Sequence, residues 1–198
     1  MKKINKTIAA FAIAAACIFS QSNVQAQAME QGKIGIDIYY GYSAFGSLVA
    51  KSISKDPTTK ISFTGPVGLR GEYMVADEIG VGLDFNFTKY AIKYPDGNGY
   101  TNTLSRSVIR IMPQFVYHFG DSDKFDGFFR VAAGYRTASY KETSTDPAYT
   151  GSSIAGLNPF AMRLAVGGAY YFTDNIGINL EIGLAGGGAV QGGLSIKL

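Results

Sequence analysis

From Lys33 onward, apolar and polar residues alternate with a period of two, the spacing of strands whose two faces meet different surroundings. The first run is Ile34-Gly-Ile36-Asp37-Ile38-Tyr39-Tyr40-Gly-Tyr42. The second sets Ile61, Phe63, Val67, Leu69 and Tyr73 against Ser62, Thr64, Gly68, Arg70 and Glu72. The third sets Ile79, Val81, Leu83, Phe85 and Phe87 against Gly80, Gly82, Asp84, Asn86 and Thr88. A fourth carries Ile109, Ile111, Phe115, Tyr117 and Phe119 opposite Arg106, Arg110, Gln114 and His118. A fifth carries Phe129, Val131, Ala133 and Tyr135 opposite Arg130, Gly134 and Arg136. The sixth runs from Phe160 to Phe172 with Arg163 on its polar face, the seventh from Ile176 to Leu184 with Glu181 on its polar face, and the last ends Leu194-Ser-Ile196-Lys-Leu198. The pattern predicts eight strands, and no window of comparable length has a helical period.

Short connections alternate with long ones. Turns near Ala76-Asp77-Glu78, between Asp121 and Asp126, and at Thr173-Asp174-Asn175 are brief, whereas Ser47 to Lys60, Tyr94 to Thr103 and Lys141 to Asn158 read as long polar loops. That asymmetry is the mark of an up-and-down meander anchored in a membrane. The segment Gly71-Glu-Tyr73 to Phe85 aligns without gaps on Gly168-Ala-Tyr170 to Ile182, two copies of a strand, an Asp-containing turn and a returning strand.

Alternation alone does not say which face is inside; the polar face does. It is dominated by Gly and Ala with a few charges, too sparse for a surface in water and suited to the narrow lumen of eight strands. The wide Ile/Val/Leu/Phe/Tyr face then points outward, where lipid tolerates it. In hydrocarbon an unpaired strand edge leaves rows of N–H and C=O groups unsatisfied, so Ile34 to Tyr42 is expected to pair with Leu194 to Leu198. The fold class expected is all-β, an eight-stranded antiparallel up-and-down transmembrane β-barrel. Aromatics near the strand ends predict two interfacial girdles: Tyr73, Tyr117, Phe119, Tyr170 and Phe172 at the short turns, with Tyr40, Tyr42, Phe87, Tyr140 and Phe160 at the long loops.

Residues 1–28 read as a secretory signal and residues 29–198 as the barrel domain. Lys2, Lys3 and Lys6 precede an apolar run from Ile8 to Phe19, and Val24-Gln25-Ala26 and Ala26-Gln27-Ala28 are small-residue cleavage sites. The run is well short of the roughly 20 residues of a spanning helix. Acylation at Cys17 after Ala14-Ala15-Ala16 is the competing reading, and the apolar continuation through Ile18 and Phe19 disfavours it. The formal charge of +3 comes from those three lysines, so the barrel is formally neutral and has no nucleic-acid footprint. One His and one Cys in 198 residues leave little equipment for metal or thiol chemistry; no metal and no cofactor are expected.

The signal segment, the eight strands and the Gly-x-Tyr...Asp-x-Ile-Gly-x-x-Leu-Glu hairpin resemble the small outer-membrane barrels of the OmpA-like and Ail-like kind, over essentially all of Lys33 to Leu198. The hairpin itself is similar to the outer membrane protein β-barrel domain common in Gram-negative bacteria, Bacteroidetes included. The resemblance implies residence in the outer membrane, insertion by the barrel assembly machinery, lipid as the surrounding partner, and a monomer. No periplasmic peptidoglycan-binding domain is expected.

The inward face collects Asp37, Glu72, Asp84 and Glu181 with Arg70, Arg110, Arg130, Arg136 and Arg163. In so narrow a lumen these charges require pairing, and planar Arg forks supply it. They read as a structural plug of ion pairs, with the selectivity lining of a narrow porin-like channel as the alternative. His118 on the same face could act as a general base in a lipid A-modifying hydrolase only with a nucleophile or acid beside it, and none adjoins it in sequence. Tyr94, Tyr100 and Tyr149, with Lys51, Lys55, Lys60 and Lys141, read first as solvated loop residues, with contact to a host or surface ligand as the alternative. Asp96-Gly97-Asn98-Gly99 begins like a calcium loop but lacks the distal Glu. The function expected is a non-enzymatic structural or surface protein, in adhesion, protection or envelope integrity. A soluble ligand-binding β-barrel is the reading that remains if the faces are reversed.

Overall fold

The computed structural model describes residues 28–42, 58–120 and 122–198; residues 1–27, which carry all but the last residue of the expected signal, and the loop containing Lys51 and Lys55 lie outside them. The described chain forms nine strands: β1 (Ile34–Tyr42), β2 (Lys60–Ala76), β3 (Ile79–Pro95), β4 (Thr101–Phe119), β5 (Phe125–Ser144), β6 (Ser152–Ala155), β7 (Phe160–Tyr171), β8 (Ile176–Leu184) and β9 (Val190–Lys197). Eight of them close a barrel in which each pairs antiparallel with its neighbours, and β1 meets β9 from Gly35↔Lys197 to Tyr42↔Val190. No backbone edge is therefore left open to lipid.

The ninth strand was not expected. The segment from Lys141 to Asn158 is largely sheet: β5 continues to Ser144, and β6 pairs with it from Ser139↔Ala155 to Glu142↔Ser152. Below β6, residues 156–159 interrupt the strand, and β7 resumes the pairing with β5 at Tyr135↔Phe160. The connection predicted from Tyr94 to Thr103 likewise shrinks, because β3 and β4 stay in register up to Pro95↔Thr101. Polar alternation on both faces hides such strands from a reading that seeks an apolar stripe.

Strands β2 to β5 have 17, 17, 19 and 20 residues, against about 9–11 for a strand that crosses a bilayer at the usual tilt. The surplus forms a wall at the end opposite the short turns. Polarity reverses along it. In the lower part, outward positions are apolar, as at Val81, Leu83 and Phe85 or Ile109, Ile111 and Phe115. Higher up, the outward positions become Lys89, Ser107, Ser139 and Lys141, while Phe63, Tyr90 and Tyr140 join the inner face. The reversal marks the level at which the surroundings change from hydrocarbon to water.

A β-bulge contributes to it. Between Thr64↔Lys89 and Val67↔Phe87, β2 carries one residue more than β3. The extra residue shifts the side-chain phase, so Ile61 and Phe63 do not share the lipid-facing side with Val67 as strict alternation predicts. The short-turn end is closed by the segment before β1: Ala28 and Met29 are buried among Met74, Ala169 and Tyr171, and Gly32 N–H donates to the Met74 carbonyl at 2.9 Å.

Candidate functional site

The inward face of β8 carries Glu181 at the centre of the barrel, fully buried. Arg70 from β2 donates Nη1 and Nη2 to its two oxygens at 3.0 and 3.1 Å, Arg163 from β7 donates Nε at 2.7 Å, and Arg130 from β5 donates Nη1. Three guanidinium groups thus converge on one carboxylate, and each of the three is at most 1% exposed. Further acceptors meet two of them: Arg70 Nε reaches Asp84 at 3.2 Å, and Arg163 Nη1 donates to the Ala185 and Gly188 carbonyls at 3.1 and 3.0 Å, while the buried Arg130 Nε is unmatched. Arg130 Nη2 lies 3.5 Å from Asp37 and 3.9 Å from Glu72. Charges removed from water this completely persist only when opposed and hydrogen-bonded, and the strands around the lumen bring both signs together.

Residues that alternation alone did not single out complete the network. Tyr39 donates its hydroxyl to Asp84 at 2.6 Å and lies with its ring 3.9 Å beneath the Arg70 guanidinium. The ring occupies the space where a side chain on Gly68 would stand, so the cross-strand glycine is what admits it. Gln191 accepts from Arg70 Nη2, and Ser195 and Asn179 donate to Asp37 at 2.6 and 3.2 Å. Their signal was positional: each sits on the inward phase of its strand.

Toward the short-turn end, His118 is held between two carboxylates, with Nδ1 2.9 Å from Asp126 and Nε2 3.2 Å from Glu72. The acidic neighbours that are not adjacent in sequence thus come from other strands, Glu72 from β2 and Asp126 from β5; neither is a nucleophilic hydroxyl, and the pair orients the ring and ties three strands together. Among the described residues no cluster of His, Cys, Asp or Glu is placed to hold a metal ion.

Arg110 and Arg136, expected in the ion-pair network, stand above it. In register Arg110 faces Asn86, whereas Asp84, two residues earlier on β3, is already taken by Arg70 and Tyr39. Arg110 Nη1 donates to Asn86 at 3.0 Å and to Thr88 at 3.1 Å, and Arg136 Nε donates to the Asn158 carbonyl at 3.0 Å. The two arginines are direct cross-strand partners. Arg106, four residues from Arg110 on the same face of β4, lies over the rings of Tyr140 at 5.2 Å and Tyr90 at 5.8 Å. A cavity of about 520 Å³ opens beside these three arginines.

Of the aromatics predicted at the interfaces, Tyr40, Tyr42, Tyr73, Phe160, Tyr170 and Phe172 are exposed on the outer face, and Phe87, Tyr117 and Phe119 are half-buried on the same side. Tyr140 is placed differently: it shares the inner face with Arg106, its register partner, because β5 continues above the apolar band.

Several solved structures are similar in fold. The N-terminal β-barrel domain of Pseudomonas aeruginosa OprF is 12% identical, with 86% of this chain and 100% of that chain covered and a TM-score of 0.47. The outer membrane protein OprG of the same organism is 12% identical over 86% of this chain and 97% of that one, with a TM-score of 0.48. Ail, the attachment invasion locus protein of Yersinia pestis, solved with the heparin analogue sucrose octasulfate, is 12% identical over 84% and 96%, with a TM-score of 0.46. Among curated proteins no relative matches. The family model described as the outer membrane protein beta-barrel domain matches residues 11–191, nearly the whole chain, and the chain belongs to that family.

Proposed function

We propose that this barrel is a non-conducting scaffold of the outer membrane, with a structural or surface role performed by the wall and rim at its tall end. The observation that carries the reading is the convergence of Arg70, Arg130 and Arg163 on Glu181 across the middle of the lumen, with all four groups removed from water. An open path for ions requires water along the axis, and here side chains from β2, β5, β7 and β8 meet instead. Long connections face the outside in barrels of this type, which puts the wall of β2 to β5 at the cell surface, where adhesion, protection or envelope integrity would be served. The barrel assembly machinery and lipid are its partners during and after insertion, and the unit is a monomer without enzymatic activity.

Planar-bilayer recording from purified protein tests the reading. Silence under an applied potential is expected. Reproducible unitary steps would overturn it in favour of a narrow solute channel.

A further inference from the structure

We propose that the tall end of the barrel holds a binding site for a phosphate monoester, with Arg106, Arg110 and Arg136 as its anion-holding residues. The inference extends the reading above and rests on it for one point, that this end meets water outside the cell.

The six lumen arginines divide into two groups. Arg70, Arg130 and Arg163 each hold carboxylates. Arg106, Arg110 and Arg136 hold none among the described residues: their acceptors are Asn86, Thr88 and the Asn158 carbonyl, and Arg106 lies against two tyrosine rings with its buried Nε–H unmatched. Arg110 and Arg136 also stand directly opposite one another on β4 and β5. Like charges in that relation destabilise a strand pair, and among the described residues no carboxylate stands within ion-pair distance of either. An anion between them would offset them.

The space for it exists. The three guanidinium groups border a cavity of about 520 Å³ that Phe63, Thr88 and Tyr90 also line, together with the end of β8 and the turn that follows it, Gly183 to Gly187. A second cavity, of about 530 Å³, shares Arg106 and Arg136. The turn is strained, with Ala185 at φ 59°, and backbone strain of this kind gathers at ligand clamps.

The chemistry selects the anion. Guanidinium forks match the oxygens of phosphate, and a dianion balances more of three fixed charges than one carboxylate does. The apolar and aromatic lining from Phe63 and Tyr90 provides a surface for the organic part of an ester. A phosphate of that kind arrives either in solution or on a lipid headgroup.

Isothermal titration calorimetry on the whole barrel, folded in lauryldimethylamine oxide micelles, decides between these sources. Saturable binding of phenyl phosphate, with phenol inert, supports a soluble ester; binding only to phosphatidic acid vesicles supports a lipid-borne one. Either binding should weaken at least tenfold in R110Q/R136Q and, independently, in R106Q, while K89Q/K141Q, which removes two charges from the outer face, binds as the wild type. Each variant is first shown to fold by its heat-dependent gel shift; if R110Q/R136Q does not fold, R106Q alone carries the test. No saturable binding of either probe, binding unchanged in R106Q, or equal loss in K89Q/K141Q would overturn the proposal. Conductance of the same preparation keeps the two readings apart: unitary steps with phosphate binding intact overturn the plugged lumen only, and a silent barrel that ignores both probes overturns the anion site only.

Discussion

Glu181 on β8 receives both Nη atoms of Arg70 on β2, across the barrel axis and 111 residues away in sequence. Two parallel charge-assisted bonds of this kind resist displacement better than a single contact. Because Arg130 and Arg163 share the same carboxylate, its removal weakens the hold on three cations at once and leaves Arg163 with carbonyl acceptors alone.

Glu181→Ala is therefore expected to destabilise the barrel by about 3–5 kcal/mol, the cost of leaving a buried charge without its partner. Urea unfolding in lipid vesicles measures this directly. Glu181→Gln, which keeps the shape and one acceptor, should lose less. A Glu181→Ala barrel as stable as the wild type would mean that the guanidinium groups are solvated and that the lumen is wetter than its burial indicates.

The level of the hydrocarbon is open to the same assay. Leu180→Arg, in the middle of the exposed apolar face of β8, should cost about 2–4 kcal/mol, as a charge near the bilayer midplane does. Ser139→Arg, on the outer face above the apolar band, should change stability by no more than about 0.5 kcal/mol, as surface substitutions usually do. Equal costs at the two positions would show that the band is misplaced.

At His118 the geometry predicts a stability effect without a chemical one. His118→Ala leaves Glu72 and Asp126 facing a gap they now bridge through the ring, and a loss of about 1–3 kcal/mol is expected from unmatched buried polar groups. Lipid A mass spectra from cells carrying the variant should match those from wild-type cells. A missing or altered lipid A species would reinstate the hydrolase reading.

Residues 145–151 join β5 to β6 and take no part in the β5–β7 pairing from Phe125 to Tyr135. Replacing them with a short Gly-Ser link should preserve the difference in gel mobility between boiled and unboiled protein. Disappearance of that difference would show that closure depends on the rim.

Much of this architecture was legible in the alternation of residues such as Ile176, Ile178, Leu180 and Ile182 against Gly177, Asn179 and Glu181, because a membrane barrel obliges each strand to sort its side chains by face. What failed to show follows the same physics. Above the hydrocarbon both faces meet water or protein, so the extensions of β3, β4 and β5 and the strand β6 lack the apolar signal. Phe63 was assigned to the wrong face because the bulge changes phase; its cue, Gly65-Pro66 inside the strand, does not register in a count of alternating apolar residues. Alternation placed Arg110, Arg136 and Arg70 on one face and could not rank them by height; height, set by register against Asn86 and Asp84, decides which arginine finds a carboxylate.

The seam between β1 and β9 joins the first described strand to the last, and this bears on how the molecule is made. Asp37 on β1 meets Ser195 on β9 only once the ends have joined, and Arg70 waits for Glu181 until β8 arrives. Contacts between such distant parts of a chain carry a large loop-closure cost before they return any stability. A half-finished sheet would hold Arg130 without Glu181 beside hydrocarbon. Assembly accordingly favours a late, cooperative step in which strand closure and charge neutralisation occur together, and a barrel missing its final strand has no stable resting point in the membrane.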